Sequence, residues 1–368
     1  MTKYSGKKVS RAGACLVDLD LRQNNPVAFD DAMDCLSYWR GQHAYPLEKA
    51  YLEVAKLTGV VEKHPTFSKR LKRADSIRSK LRIHQGMNLK RMQDIGGCRV
   101  VVSNNKKVKK LSKLLSSLDH IKLRNDYVKA PKNDGYRSVH LVGNYKGEDG
   151  RIFPIEIQVR SMLQHVWATG VEMIDICTEQ SLKSGLGVGN WGDFFKKLSE
   201  LFLELEQVHF LNSLEIEPLL ANLNRMMVKK VFSKLVSEVV ALERSLNLTK
   251  SLESYANLIG SVDAVLEDKP DVQGYYLVYL NLEVGSVIAQ DFFDSNETAI
   301  ANQKYLELEK RIEGDRRQIA ALVSTQAIGG IKEAYPNYFA DAQKLLVYMK
   351  LFEVLYVRHE STLAKLTR

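Results

Sequence analysis

Two acidic residues, each beside a short apolar run and an arginine, have the character of ligands for a divalent cation. Asp94 opens the segment Asp94-Ile95-Gly96-Gly97-Cys98-Arg99-Val100-Val101-Val102, and Glu156 lies within Phe153-Pro154-Ile155-Glu156-Ile157-Gln158-Val159-Arg160. Between them runs Asn133-Asp134-Gly135-Tyr136-Arg137-Ser138-Val139-His140, and upstream runs the basic stretch from Arg70 to Lys80. A magnesium ion takes one or two carboxylates and fills its remaining positions with substrate oxygens and water. Cations suit phosphates, and a tyrosine at a loop can stack on a base. The set predicts a nucleotide phosphotransfer site.

Glu156, Gln158 and Arg160 alternate along a predicted strand, so their side chains share one face and reach one pocket. Lys72, Ser76 and Lys80 recur at i, i+4 and i+8, the spacing of one helix face. If the helix starts at Asp75, its N-terminus also attracts phosphate. Each feature alone has a plainer reading: Asp94 and Glu156 paired with Arg99 or Arg160, a solvated basic face, and a tyrosine packed on its own domain.

Taken in this order, the four blocks resemble the synthetase domain of the RelA/SpoT family, over about residues 30–200. The resemblance implies a pyrophosphokinase that moves the β,γ-pyrophosphate of ATP to a ribose 3′-hydroxyl of GDP or GTP, making the (p)ppGpp alarmone of the stringent response. It implies that Asp94 and Glu156 are catalytic and bind Mg²⁺, Glu156 also receiving the hydroxyl proton. It places Arg70 and Arg99 on either side of the adenine and Lys72, Ser76 and Lys80 on the ATP phosphates. Tyr136 would stack on guanine, and Lys132, His140, Gln158 and Arg160 would face the acceptor nucleotide. Two departures stand out. The family's usual Arg-Asp-Tyr is Asn125-Asp126-Tyr127 here, with Arg124 one place early, and the usual Arg-Thr is Arg160-Ser161. His64 is followed by Pro65, so the His-Asp motif of the family's hydrolase half is missing and a synthetase-only protein is expected.

The charge distribution agrees with anionic ligands. The 368-residue chain carries a net +9. Residues 1–200 hold 35 Lys and Arg against 21 Asp and Glu, and residues 61–130 hold 19 against 5. The remainder is acidic, at 18 against 23. A basic half suits polyphosphates or RNA. Lys106-Lys107-Val108-Lys109-Lys110 also fits the solvated face of a helix packed through Val108, Leu111, Leu114 and Leu115. The acceptor therefore has an alternative, the 3′ end of a tRNA, which would make the protein a toxin that blocks translation. A purely binding role for a degenerate synthetase fold is the non-enzymatic reading. Cysteines 15, 35, 98 and 177 lack metal-ligand spacing and read as free thiols of a cytoplasmic protein. No run of 18 apolar residues predicts a membrane span, and no apolar segment follows the basic N-terminus to make a secretory signal.

The expected fold class is α+β: a small mixed β-sheet with flanking helices, followed by an all-α helical domain. Residues 1–25 read as an extended or mobile lead-in, 26–211 as the synthetase-like domain, and 212–368 as a regulatory or interaction domain. That acidic domain could restrain the basic half within the chain or drive homo-oligomerisation. Helices are predicted over Ala28–Leu57 with a kink or a new helix start at Pro46, over Asp75–His84 with Asp75 as N-cap, across the first pair of strands, and over Met162–Cys177. Strands are predicted at Cys98–Ser103, Asp126–Ala130, Ser138–Tyr145 and Ile152–Val159. Gly187-Val188-Gly189-Asn190-Trp191-Gly192 matches a dinucleotide fingerprint, but a helical segment precedes it where a strand is required, so it reads as a loop. Beyond it, helices are predicted over 193–211, 217–246, 250–267, 273–290, 295–324, 328–335 and 337–363, with a faint tetratricopeptide-like pairing.

Overall fold

The computed structural model describes residues 3–18, 20–84, 86–178, 190–207, 216–250, 252–253, 274–281, 286–312, 318–324 and 340–366. The segment read as a lead-in is helical: α1 (Gly6–Cys15) is capped by Ser5, and the short α2 (Leu21–Asn24) follows. Val9 and Ala12 of α1 and Leu16 at its C-cap are spaced for a helix and pack on α3 (Pro26–Gly41). α3 begins with Asn25 accepting from Ala28 N and Pro26 in its first turn, where a missing N–H costs nothing. A new helix, α4 (Ala44–Thr58), starts two residues before Pro46, so the proline marks a start rather than a kink.

The central sheet has the order β1-β2-β5-β4-β3. Its strands are β1 (Thr66–Leu71), β2 (Gly96–Val102), β3 (Ile121–Asp126), β4 (Val139–Lys146) and β5 (Ile152–Ser161). β2 and β5 are parallel neighbours and the other pairs are antiparallel, which is the mixed sheet expected. Two connecting helices precede β3: α5 (Ala74–Ile83) and α6 (Asn105–Ser116). Asn104 caps α6 through Lys107 N, and Val108, Leu111 and Leu115 are buried as their spacing predicts. The strand expected at Asp126–Ala130 lies earlier. Asp126 ends β3, and its carboxylate accepts from Val128 N and Lys129 N, turning the chain there. α5 starts at Ala74 with Arg73 as an uncapped N-cap, placing Asp75 in the first turn.

One face of the sheet is apolar. Cys98, Val100, Val102, Leu141, Tyr145, Ile155, Ile157 and Val159 pack against α4 and α6. The opposite face is partly covered by α7 (Met162–Thr178). α7 belongs to a second core with α8 (Trp191–Leu205), α9 (Ile216–Met226), α10 (Lys230–Leu246) and the C-terminal α12 (Ala340–Leu366). The proposed division at residue 211 cuts across this core.

The C-terminal region is helical but carries a small sheet within the stretches 273–290 and 295–324, both predicted as helices. β6 (Gly274–Asn281) lies between β7 (Ser286–Asp294) and β8 (Gln318–Ser324), all antiparallel, with α11 (Thr298–Arg311) packed against it. Tyr276 and Val278 enter the helical core, while Leu277 and Tyr279 pack toward α11. A strand buried on both faces reads as a continuous apolar run, indistinguishable by period from a buried helix. The expected helical hairpin of 276–290 with 297–311 is thus a β-hairpin followed by a helix. The helix expected at 328–335, most of the one at 250–267, and Gly187 to Gly189 of the glycine motif lie outside the described residues. Among the described residues, no helix is long and apolar enough to cross a membrane.

A buried ion pair ties α11 to α3. Arg40 Nη1 lies 2.9 Å from Glu309 Oε2, with the two side chains 6% and 12% exposed, and Tyr305 Oη donates to Glu309 Oε1 at 2.9 Å. Breaking such a pair strands a charge, at a cost of about 3–5 kcal/mol. Arg40→Ala should lower the unfolding free energy in urea by about that amount, whereas replacing Arg40 by Met and Glu309 by Leu together should recover most of it.

Candidate active site

The sheet's pleat sorts the candidate residues. Gly97 pairs with Glu156 and Arg99 with Gln158 across the parallel β2–β5 ladder, and Arg70 and Ser68 on β1 oppose Gly97 and Arg99. On the other side, His140 opposes Gln158 and Val142 opposes Glu156. Paired residues project to the same face, so the face opposite the apolar core gathers Arg70, Arg99, Glu156, Gln158, Arg160 and His140. Asp94, two residues before β2, stands at its edge. These residues, with Lys72, Lys80, Lys132 and Tyr136, line one cavity of about 730 Å³. The size falls within the range of small-molecule sites.

Ser76 does not join them. It is exposed on α5 and is not among the lining residues. Because α5 starts at Ala74, Lys72 precedes the helix and the three residues do not share one helix face. Lys72 and Lys80 converge nonetheless, at 3.1 and 2.7 Å from Asp94 Oδ2. The other oxygen, Asp94 Oδ1, is buried and has no hydrogen-bond partner among the described residues. Burial lowers the Lys72 ammonium, and the charges of Lys80 and Arg70 add to this against the pull of Asp94.

A closed hydrogen-bond circuit holds the part of the cavity wall around Tyr136 and His140. Gln158 Nε2 donates to Glu156 Oε2 at 2.7 Å, and Gln158 Oε1 accepts from Arg99 Nε at 3.3 Å and Arg160 Nη2 at 3.0 Å. The same Arg160 nitrogen donates to Tyr136 Oη at 2.7 Å. His140 Nε2 also lies 2.7 Å from Tyr136 Oη, and His140 Nδ1 lies 3.0 Å from Glu156 Oε1. Burial disfavours the His140 cation, but Tyr136 and Glu156 more than offset it and raise its pKa. Burial likewise opposes the Glu156 carboxylate, yet His140, Gln158 and Lys72 bring it down to about 2. Burial would push the Tyr136 phenol up, while Arg160 and His140 pull it down to about 8. Arg160 is 3% exposed, and its Nε and Nη1 have no hydrogen-bond partner among the described residues.

The Tyr136 ring lines the cavity between cations, with Lys132 Nζ 5.0 Å and the Arg160 guanidinium 5.2 Å from its centroid. Tyr127 meets it edge-on at 5.7 Å. Burial and the Arg160 charge both disfavour the Arg99 cation.

Several lining residues escaped the sequence reading. On α7, Trp167, Ala168, Val171 and Glu172 form one helical stripe over the cavity, a period visible in the sequence without any hint of a site. Arg124 is the most informative. Leu123 pairs with Leu141 and Asn125 with His140, so Arg124 is the extra residue of a β-bulge. Arg124 and Asn125 both line the cavity. A bulge is a device that re-aims side chains, and here it returns to the cavity the arginine that stands one place early.

Residues 69–174 match the model of the region found in RelA/SpoT proteins. The chain contains a RelA/SpoT domain. It embraces β1 from Lys69, the sheet and most of α7, and so most of the cavity wall. No curated protein matches the chain. Solved structures similar to it include small alarmone synthetase 2 from Bacillus subtilis, 21% identical, covering 46% of this chain and 93% of that one, at a TM-score of 0.39. Small alarmone synthetase 1 from Bacillus subtilis bound to its product pppGpp is 22% identical, with coverages of 46% and 93% and a TM-score of 0.38. A GTP pyrophosphokinase family protein from Streptococcus pneumoniae is 22% identical, with coverages of 45% and 87% and a TM-score of 0.36.

The circuit makes the Tyr136 phenol spectroscopically distinct. Ultraviolet titration should show one tyrosinate forming as pH rises through about 8 rather than near 10. Tyr136→Phe should abolish that step. Arg160→Gln, which removes the larger of the two attracting charges, should shift it upward.

Proposed function

We propose that this chain is an ATP-dependent pyrophosphotransferase that moves the β,γ-pyrophosphate of ATP to the 3′-hydroxyl of GDP or GTP, releasing AMP and a (p)ppGpp product. One observation carries the reading. In a single cavity a buried carboxylate oxygen, Asp94 Oδ1, lacks a partner, and so do two buried donors of Arg160. Unsatisfied buried groups of opposite sign, beside cations crowded by like charge, suit a metal-bound polyphosphate. The RelA/SpoT domain supports the reaction class.

Asp94 and Glu156 are the residues that would hold Mg²⁺. The unpartnered Asp94 oxygen fits a hard cation, and among the described residues no cluster of three or more His, Cys, Asp or Glu offers an all-protein cage. A bound magnesium would supply Lewis-acid stabilisation of the phosphate charge. Lys72 and Lys80, both beside Asp94, suit the phosphates of ATP, and Arg70 and Arg99, which share a sheet face, suit its adenine. Ser76 would reach them only if α5 or the nucleotide moved. Tyr136, Lys132, His140 and Arg160 suit the acceptor, and Arg124 adds a cation beside them.

In the transfer, the ribose oxygen bonds to the β-phosphorus of ATP and the bond from that phosphorus to the α-phosphate oxygen breaks. Glu156, ionised and held by His140 and Gln158, orients the hydroxyl and takes its proton late. A carboxylate with a pKa of about 2 is a weak base, but phosphoryl transfer through a loose transition state relies mainly on positioning and electrostatics. A cytoplasmic setting fits these substrates, and residues 212–368 remain a proposed regulatory or interaction region.

Labelled ATP, incubated separately with GDP, GTP and tRNA, tests the proposal. Label should enter the guanine nucleotides with release of AMP, and Asp94→Asn or Glu156→Gln should each slow transfer by about 100-fold or more. Label in tRNA alone would select the translation-blocking acceptor instead. A folded protein that labels none of them would overturn the reading.

A further inference from the structure

The loop that carries Lys132 and Tyr136 is seated on a helix of the other core. Within the loop, Gly135 N donates to Lys132 O at 2.9 Å, Lys132 N to Tyr136 O at 3.2 Å, and Tyr136 N to Asp134 Oδ1 at 2.9 Å. These bonds make the loop a unit whose position depends on what holds it from outside. Ser199, on α8, is 4% exposed. Its Oγ donates to Gly135 O at 2.6 Å and accepts from Arg137 Nε at 3.2 Å. A serine hydroxyl offers one donor and two acceptor sites, so both bonds coexist.

Gly135 is shaped for this seat. Its φ of +95° is the left-handed region, and a Cβ there would lie 2.9 Å from Ser199 Cβ and 3.3 Å from Lys196 Cα. A second anchor lies seven residues further along, at the C-cap of α8. Glu206 Oε2 accepts from Asn105 N at 3.0 Å, and Glu206 Oε1 accepts from Ser161 Oγ at the end of β5. α8 therefore grips the sheet domain at two points, one at the acceptor loop and one where β5 and α6 meet. The apolar face of α8 packs with α7, α10 and α12 and takes no part in the sheet's own core.

We infer that Ser199 is a positioning residue: through Gly135 and Arg137 it sets where Lys132 and Tyr136 stand, so it governs acceptor binding and leaves ATP binding alone. The asymmetry follows from placement. Lys72, Lys80 and Asp94 belong to the β1–α5 side, which Ser199 does not touch. The effect on the acceptor rests on the function proposed above, whereas the seating of the loop does not.

The test uses the full chain with Ser199→Ala and Arg137→Gln, which weaken the seat from its two sides. Hydrogen exchange of the amides of 132–136 is measured beside initial rates with GTP. Each substitution should speed exchange there by about five- to tenfold, as the loss of one or two hydrogen bonds implies, with β2 and β5 unchanged. The acceptor KM should rise by a similar factor while the ATP KM and kcat stay within about twofold. Unchanged loop exchange would overturn the inference, as would equal rises in both KM values or a fall confined to kcat, the marks of a merely structural hydroxyl. A wild-type chain inert toward guanine nucleotides would overturn the guanosine acceptor and the KM effect with it. The exchange result would then stand alone for or against the seat.

Discussion

Everything at the cavity depends on the parallel register of β2 against β5, which sets Gly97 beside Glu156 and Arg99 beside Gln158. Because a strand alternates faces, that register sends Cys98, Val100, Ile155 and Ile157 into the core under α4 and α6 and sends the charged residues to the opposite side. A slip of one residue would drive Glu156, Gln158 and Arg160 into hydrocarbon, so burial of the apolar set holds the polar set in place. Gly97 lies between Arg70 and Glu156 on the polar face, where it adds no side chain to the wall. The chemistry is thus specified by packing on the face that takes no part in it.

The polar face gathers more cations than its carboxylates can neutralise. Asp94 answers Lys72 and Lys80 with a single oxygen, and Glu156 is committed to His140 and Gln158. Arg99 and Arg160 meet at the neutral amide of Gln158, which accepts from both. An amide acceptor holds two guanidinium groups without neutralising either. Glu172 also favours the Arg99 cation, and the circuit through Tyr136 and His140 fixes where Arg160 stands. Such preorganisation spares the site reorganisation when a charged ligand binds.

Sequence reading recovered the parts of this arrangement in which one physical signal dominates. β4 and β5 alternate apolar and polar residues around a glycine turn, and α6 has a capping asparagine before a periodic apolar stripe. β1 was missed because Thr66-Phe67-Ser68-Lys69-Arg70-Leu71 is an edge strand with no buried residue to betray it. β6 was missed for the opposite reason, being buried on both sides. The convergence of Lys72 and Lys80 was anticipated by the wrong route: their spacing suggested one helix face, but a strand exit and a helix deliver them from different directions to Asp94. Ser76, correctly spaced along the chain, is carried outward by the same change in helix start.

Arg124 shows why matching residues by sequence offset can mislead even within a well-matched domain. An offset count assumes that each residue advances the strand by one register position, and on that assumption the arginine of Arg124-Asn125-Asp126-Tyr127 is out of place. The bulge breaks the assumption, because two residues of β3 stand where β4 spends one, opposite His140. Arg124 and Asn125 then both reach the cavity, and Asp126 still pairs with Val139 to close the strand and start the turn that leads to Tyr127. Position along a strand is thus set by the register with its neighbour and not by the residue count. An edge strand can take an extra residue, since only one of its sides is held by a neighbour.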